Sequence, residues 1–190
     1  MTGQRSAYGM LLNRSKILSV LTLIRPTADL HGAWLASHEE WGPGEHEDGF
    51  GLNARTDVIT AEGFAEWVRT MHAEEDSSIW TGPAVRGCFY RWIMDGDEVV
   101  GGIAARVSES EFVRLYGHVG YGIRPSARGR GIATWALGQV ARDLLDTRGL
   151  TRVLAVCAAD NGASAATIEG NGGRLDTETS DERVSRYWIE

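Results

Sequence analysis

The stretch Gly120–Thr134 constrains the fold more than any other part of the chain, because it joins two segments of different periodicity. The residues before the turn, Leu115–Ile123, have the apolar character of a β-strand. After it, apolar residues recur at four-residue spacing, which is typical of a helix with one buried face: Ile132, Ala136, Val140 and Leu144. Gly129 and Gly131 lie between these segments, so we expect the strand to pass through a tight turn into a helix N-terminus.

Such a turn is suited to bind an anion. The first N–H groups of a helix lack intrahelical acceptors, and the helix dipole adds partial positive charge there. Glycines have no Cβ that would obstruct the close approach of a ligand. Arg124, Arg128 and Arg130 add positive charge around the same turn. Together these features predict a phosphate-binding site.

The turn resembles the pyrophosphate-binding motif of the GNAT superfamily of N-acyltransferases, Gln/Arg-x-x-Gly-x-Gly/Ala, which binds the diphosphate of acetyl-CoA. The corresponding residues here are Ser126-x-x-Gly129-x-Gly131, and Ser126 departs from the usual Gln or Arg. A nucleotide-binding domain is an alternative, but the dinucleotide motif Gly-x-Gly-x-x-Gly would need a glycine where Thr134 stands. The resemblance to the GNAT core extends from His118 to Leu175.

This resemblance implies that acetyl-CoA is the co-substrate. A second family motif, Asn-x-x-Ala/Ser at the head of a later helix, matches Asn161-x-x-Ser164 and would contact the pantetheine arm and the thioester. Asn161 is also suited to cap that helix, and the two roles are compatible. The residues predicted to bind acetyl-CoA are Ile123, Arg124, Arg128, Gly129, Arg130, Gly131, Ile132, Ala133, Asn161 and Ser164.

The predicted fold is a mixed α/β sheet of about seven mostly antiparallel strands, flanked by about four helices, as the resemblance implies. We expect a loose tail over residues 1–15 and a single acyltransferase-like domain over residues 16–190, beginning with a strand at Ile17–Ile24. The sheet should splay between the strand ending at Ile123 and the strand centred on Leu154. Acetyl-CoA would occupy that opening, because a pantetheine amide chain can pair with the separated strand backbones.

Acyl transfer to an amine requires a proton acceptor for the amine and stabilisation of the departing thiolate. His118 is the first candidate base, since its reference pKa of about 6.5 suits the task, and Glu40 is the second. The alternative for His118 is a structural role, as a strand histidine whose ring is hydrogen-bonded within the protein. Many GNAT enzymes use a tyrosine as the general acid. The corresponding positions here are Thr167-Ile168, so the usual acid is missing. Tyr121 and Tyr187 are the candidates to replace it.

An acidic segment is the predicted wall of the acceptor site. Residues 26–54 contain six carboxylates and no Lys or Arg, and the resemblance places this region over the acceptor. The predicted acceptor-binding residues are Glu39, Glu40, Trp41 and Glu45, which favours a cationic amine. A solvated acidic loop is the alternative. A metal site involving His38 and His46 lacks a fixed ligand spacing, so we expect no metal.

Overall charge limits the remaining partners. The net charge of −7 argues against general binding to nucleic acid or to anionic membranes. The resemblance and the acidic segment together predict a cytoplasmic N-acetyltransferase that acts on a small cationic amine by direct transfer in a ternary complex. Whether the protein forms a homodimer is left open. The alternatives are a protein N-terminal acetyltransferase and a non-catalytic acyl-CoA-binding or sensing module.

Overall fold

The computed structural model describes residues 20–42, 48–53, 55–77 and 87–190. Within these residues the chain forms one sheet of seven strands, in the spatial order β1-β2-β3-β4-β5-β7-β6. The strands are β1 (Leu21–Ile24), β2 (Cys88–Asp95), β3 (Glu98–Arg106), β4 (Val119–Ile123), β5 (Val153–Ala158), β6 (Arg174–Leu175) and β7 (Val184–Ile189). All neighbouring pairs are antiparallel except β4 with β5. The predicted α/β fold with about seven mostly antiparallel strands is confirmed.

The described residues also contain five α-helices, where about four were expected. They are α1 (His31–Glu39), α2 (Ala61–Asp76), α3 (Glu111–Tyr116), α4 (Ile132–Arg142) and α5 (Gly162–Glu169). A short 3₁₀ turn, Ala28–Leu30, precedes α1, and the Thr27 side chain caps it. Thr60 caps α2 by accepting the N–H of Gly63. No helix of the described residues is long and apolar enough to cross a membrane.

The sheet separates two hydrophobic cores. On one face, α4 and α5 contribute buried side chains such as Ile132, Leu137 and Ile168. On the other face, α1 and α2 contribute a core rich in aromatic rings, including Trp34 and Phe64. Strands β2 and β3 are therefore buried on both sides. Residues from both faces of the sheet line the candidate site.

The segment before the glycine turn differs from the prediction. Leu115 and Tyr116 belong to α3 and do not begin a strand. Ser110 caps α3 by accepting the N–H of Val113, and Gly117, with φ of +84°, ends it. The predicted strand start at Leu115 was wrong, because the apolar residues there lie exposed on a short helix and are not part of an interior pattern. β4 begins at Val119.

The N-terminal predictions are tested only in part. The first strand extends over Leu21–Ile24, while residues 1–19, including the predicted tail, lie outside the described residues. The two cysteines, Cys88 and Cys157, are buried and are not joined in a disulfide. Burial raises the pKa of both thiols.

Candidate functional site

The site is the opening between β4 and β5. The two parallel strands pair at Val119 and Ala155, and just before this point the N–H of His118 donates to the Leu154 carbonyl at 2.7 Å. Beyond it the strands separate, and a cleft of about 720 Å³ opens. The sheet is thus splayed at the predicted place.

This cleft is lined from both faces of the sheet. Tyr121 of β4 packs against the core under α4 and α5. Gly122, the next residue, faces the other way, because a Cβ built there would lie 2.7 Å from the Asp48 carbonyl oxygen and 2.9 Å from the Trp41 ring. Trp41 and Asp48 line the cleft together with residues of α5 such as Ser164. The cleft is therefore bordered by residues from both faces of the sheet.

The glycine turn forms one end of the cleft. Gly129 and Gly131 have φ of +72° and +74°, a conformation that favours glycine. A Cβ built at either position would meet no atom within 4 Å, so both glycines border open space. The N–H of Trp135 donates to the Gly131 carbonyl, and the N–H groups that precede it in the first turn of α4 have no intrahelical acceptor. This geometry fits a diphosphate.

The predicted cofactor-binding residues separate into two groups. Those that line the cleft are Ile123, Arg128, Gly129, Gly131, Ile132, Ala133, Asn161 and Ser164. Arg128 donates through Nε to the Ile123 carbonyl at 2.9 Å, and its guanidinium carbon lies 5.1 Å from the centre of the Trp41 ring. Its charge is therefore held at the phosphate end of the cleft.

The other two arginines are paired with carboxylates. Arg124 forms an ion pair with Glu98 and lies 3.5 Å from Glu40. Arg130 pairs with Asp95, at the end of β2, at 2.6 Å. The turn thus carries less unpaired positive charge than its sequence indicates, and a diphosphate would bind mainly to backbone N–H groups and Arg128.

The N-terminus of α5 forms the wall opposite β4. Asn161 accepts the N–H of Ser164 at 3.0 Å, so it acts as the expected helix cap. The hydroxyls of Tyr121 and Ser164 are hydrogen-bonded at 2.8 Å across the split. Burial is the main cause that raises the pKa of Tyr121 to about 12. Ile168, which stands at the position of the family's tyrosine acid, is buried in the core and is 1% exposed.

His118 lies at the closed end of the split and is 3% exposed. Its Nδ1 accepts the N–H of Leu154 at 2.8 Å. Burial lowers the pKa of His118 below its ordinary value, so the ring is neutral near pH 7. A neutral ring that accepts at Nδ1 carries its proton on Nε2, which leaves no lone pair for a proton from the amine. Its role as a base stays a prediction.

Glu40 connects α1 to the glycine turn. One carboxylate oxygen accepts the backbone N–H of Ser126 at 3.1 Å. Hydrogen bonding from Ser126 is the main cause that lowers the pKa of Glu40, and the charge of Arg124 lowers it further. A carboxylate held in this way is a weaker base than usual, so the geometry favours a positioning role.

The remaining predicted residues lie in different surroundings. Glu39 is exposed at the end of α1, and Glu45 lies outside the described residues. Tyr187 is buried in β7, opposite Ala155, within the core under α4 and α5. The sequence-based prediction omitted Asp48, although it lines the cleft. The acidic composition of the segment pointed to this region, but only the folded chain shows that Asp48 is the described acidic residue that lines the cleft.

Metal ligation finds no support in the part of the chain that the structure describes. Among those residues, no group of three or more His, Cys, Asp or Glu side chains could hold a metal ion.

Comparisons with known proteins point to one family. A family model described as acetyltransferase (GNAT) domain matches residues 21–174, whereas a search of curated proteins found no match. The fold is similar to the microcin C7 self-immunity acetyltransferase MccE, solved with acetyl-CoA and AMP (14% identity, TM-score 0.62, 88% of this chain and 91% of that chain).

Two further solved structures share the fold. One is an acetyltransferase from Salmonella typhimurium that modifies the N-terminal serine of a 50S ribosomal subunit protein (15% identity, TM-score 0.62, 88% of this chain and 93% of that chain). The other is RimJ of Mycobacterium smegmatis in complex with a CoA disulfide (19% identity, TM-score 0.61, 90% of this chain and 82% of that chain). At these identities the likeness is one of fold.

Proposed function

The chain belongs to the GNAT acetyltransferase family, and we propose that it transfers the acetyl group of acetyl-CoA directly to a primary amine while both substrates are bound. The observation that carries this proposal is the cleft, which begins at the glycine turn and reaches both faces of the sheet. The turn suits the diphosphate, and the separated backbones of β4 and β5 suit the pantetheine arm. Bound side by side, amine and thioester would react at a high effective concentration.

The reaction can be written with the groups around the cleft. The neutral amine nitrogen attacks the thioester carbonyl carbon, the C–S bond breaks, and its electron pair leaves with sulfur. The nitrogen loses one proton overall and the sulfur gains one, so the products are the N-acetyl amine and the CoA thiol. Tyr121 lines the cleft, its hydroxyl is hydrogen-bonded to that of Ser164, and its raised pKa keeps it protonated at neutral pH. We propose that it donates a hydrogen bond to the departing sulfur; Tyr187 remains the other candidate.

The proposed acceptor is a small cationic amine, because Asp48 lines the cleft on the side that faces α1 and belongs to a segment that is acidic in sequence. A protein N-terminus is the second candidate, favoured by the similarity to an acetyltransferase that modifies the N-terminal serine of a ribosomal protein. Peptide N-termini have a pKa of about 7.7–8.0, against about 10.4 for a lysine-type amine, so they need less help to lose a proton. We also expect a cytoplasmic location.

Two measurements test this function. Calorimetric titration should detect acetyl-CoA binding and no comparable binding of NADH, because the turn lacks a dinucleotide motif. Thiol release should then be followed with polyamines, aminoglycosides, basic amino acids and a serine-initiated peptide as acceptors. Acetyl-CoA binding without thiol release for any of these acceptors would contradict the enzymatic proposal, and lack of acetyl-CoA binding would contradict the assignment of the cleft.

A further inference from the structure

The charge of the cleft is divided between its two ends. Of the described residues that line it, Arg128 and Asp48 are the ones that carry full charge. Arg128 follows β4 at the glycine turn, where it faces the Trp41 ring. Asp48 lies over Gly122, on the face of the sheet covered by α1 and α2. The described lining thus has a cationic residue at the phosphate end and an acidic residue on the proposed acceptor side.

The backbone that carries Asp48 is seated directly on the sheet. A Cβ at Gly49 would lie 2.3 Å from the Gly102 carbonyl oxygen and 2.9 Å from that of Gly120. Phe50, the next residue, is 1% exposed, and its ring lies within 3.0 Å of the Cβ position of Gly102. Glycines in β3 and β4 therefore allow residues 48–50 to pack against the strands. This contact fixes the backbone that carries Asp48 beside the cleft.

The other acidic residues of the segment occupy different positions. Glu40 accepts the Ser126 N–H and pairs with Arg124 at the glycine turn. Glu39 is exposed at the end of α1. Among the described acids of this segment, Asp48 is the one that reaches the cleft.

We propose that Asp48 binds the ammonium group of the acceptor and so selects amines that are cationic at neutral pH. This inference rests on the proposed acetyl transfer. A nearby carboxylate stabilises the ammonium form, so Asp48 raises the occupancy of the site by the amine but does not assist its deprotonation. The proton is released to solvent before the neutral nitrogen attacks. Asp48 is therefore a residue for acceptor specificity and not the general base.

The variant Asp48→Asn separates these roles. KM for the amine should rise about 10- to 100-fold, the range expected for loss of a charge-assisted hydrogen bond. The kcat should stay within about threefold of the parent or rise, and KM for acetyl-CoA should not change. A general base would instead lose about 10²–10⁴-fold in kcat. Asp48→Glu keeps the charge and should recover part of the affinity for the amine.

The matched control is Glu62→Gln, which removes one exposed carboxylate from α2, on the same face of the molecule. It should leave both KM values unchanged, because long-range attraction alone is screened at physiological salt. An unchanged amine KM in Asp48→Asn would overturn the proposal. An equal rise in Glu62→Gln, or a fall in kcat at constant KM, would do the same.

A second measurement keeps this test independent of turnover. Calorimetry of an alkylamine binding to the CoA-bound protein should give a Kd about tenfold or more higher for folded Asp48→Asn than for the parent. Equal Kd values, or no amine binding by the parent, would overturn the role of Asp48. If amines bind but none is acetylated, the proposed reaction fails while the binding assignment stands on these Kd values.

Discussion

Gly131→Ala should weaken acetyl-CoA binding by about tenfold or more at a modest cost in stability. Gly131 has φ of +74°, and a Cβ there meets no protein atom within 4 Å. The folded state therefore has to accept only the left-handed conformation of alanine, which costs about 1–2 kcal/mol. The new methyl group projects into the cleft beside the first N–H groups of α4, where the diphosphate has to approach.

The loss of binding follows from the contacts that the methyl group blocks. Each charge-assisted hydrogen bond is worth about 1.5–3 kcal/mol. Loss of one weak bond should therefore raise the Kd for acetyl-CoA by a factor of about ten, and loss of two strong bonds by a factor of about 10⁴. Gly149→Ala is the matched control, because Gly149 has φ of +77° and equally open surroundings and lies after α4, away from the cleft. Urea denaturation should give similar losses of stability for both variants, whereas calorimetry should show weaker acetyl-CoA binding for Gly131→Ala alone. A parental Kd in folded Gly131→Ala, or equal loss in Gly149→Ala, would refute the assignment of the phosphate site.

Three further variants test the surrounding residues. Burial lowers the folded-state pKa of His118, so the unfolded chain binds more protons than the folded protein as pH falls below about 6.5. The free energy of unfolding of the parent should therefore fall below that pH, and in His118→Gln it should depend less on pH in urea titrations between pH 7.5 and 5. The kcat of the same variant tests the role of His118 as a base. Tyr121→Phe should lower kcat about tenfold or more with an unchanged Kd for acetyl-CoA, if its hydroxyl supports the departing sulfur; a fall in Tyr187→Phe alone would transfer that role. Arg128→Ala should weaken acetyl-CoA binding about tenfold, and Arg130→Ala less, because Arg130 is paired with Asp95; the reverse order in calorimetry would contradict this account.

The fold was predictable because its strongest sequence features are local. The apolar spacing after Gly131 defines α4, and the Asn161 cap begins α5 as its sequence indicates. The error at Leu115 and Tyr116 has a local cause too, since apolar residues on a short exposed helix give the same pattern as a strand. Local patterns report side-chain type but not whether the side chain is buried.

The site was harder to predict because it depends on contacts between distant segments. The sequence shows Arg124 and Arg130 beside the glycines but not that Glu98 and Asp95, on the hairpin of β2 and β3, pair with them. Likewise, Glu40 has the residue type of a base, and only the fold brings the Ser126 N–H against it. A charge that is already paired contributes less to a ligand than a count of charges suggests.

The sequence Gly120-Tyr121-Gly122 in β4 accounts for both sides of the cleft. Successive side chains of a strand point to opposite faces, so the tyrosine reaches Ser164 on the face of α5, while the two glycines present bare backbone to the face of α1. That bare surface is what admits residues 48–50 and brings Asp48 to the cleft. A larger residue at position 122 would meet the Asp48 carbonyl oxygen 2.7 Å from its Cβ and displace the segment. The proposed acceptor wall therefore depends on these glycines of the sheet as well as on the acidic residue, Asp48, that they admit.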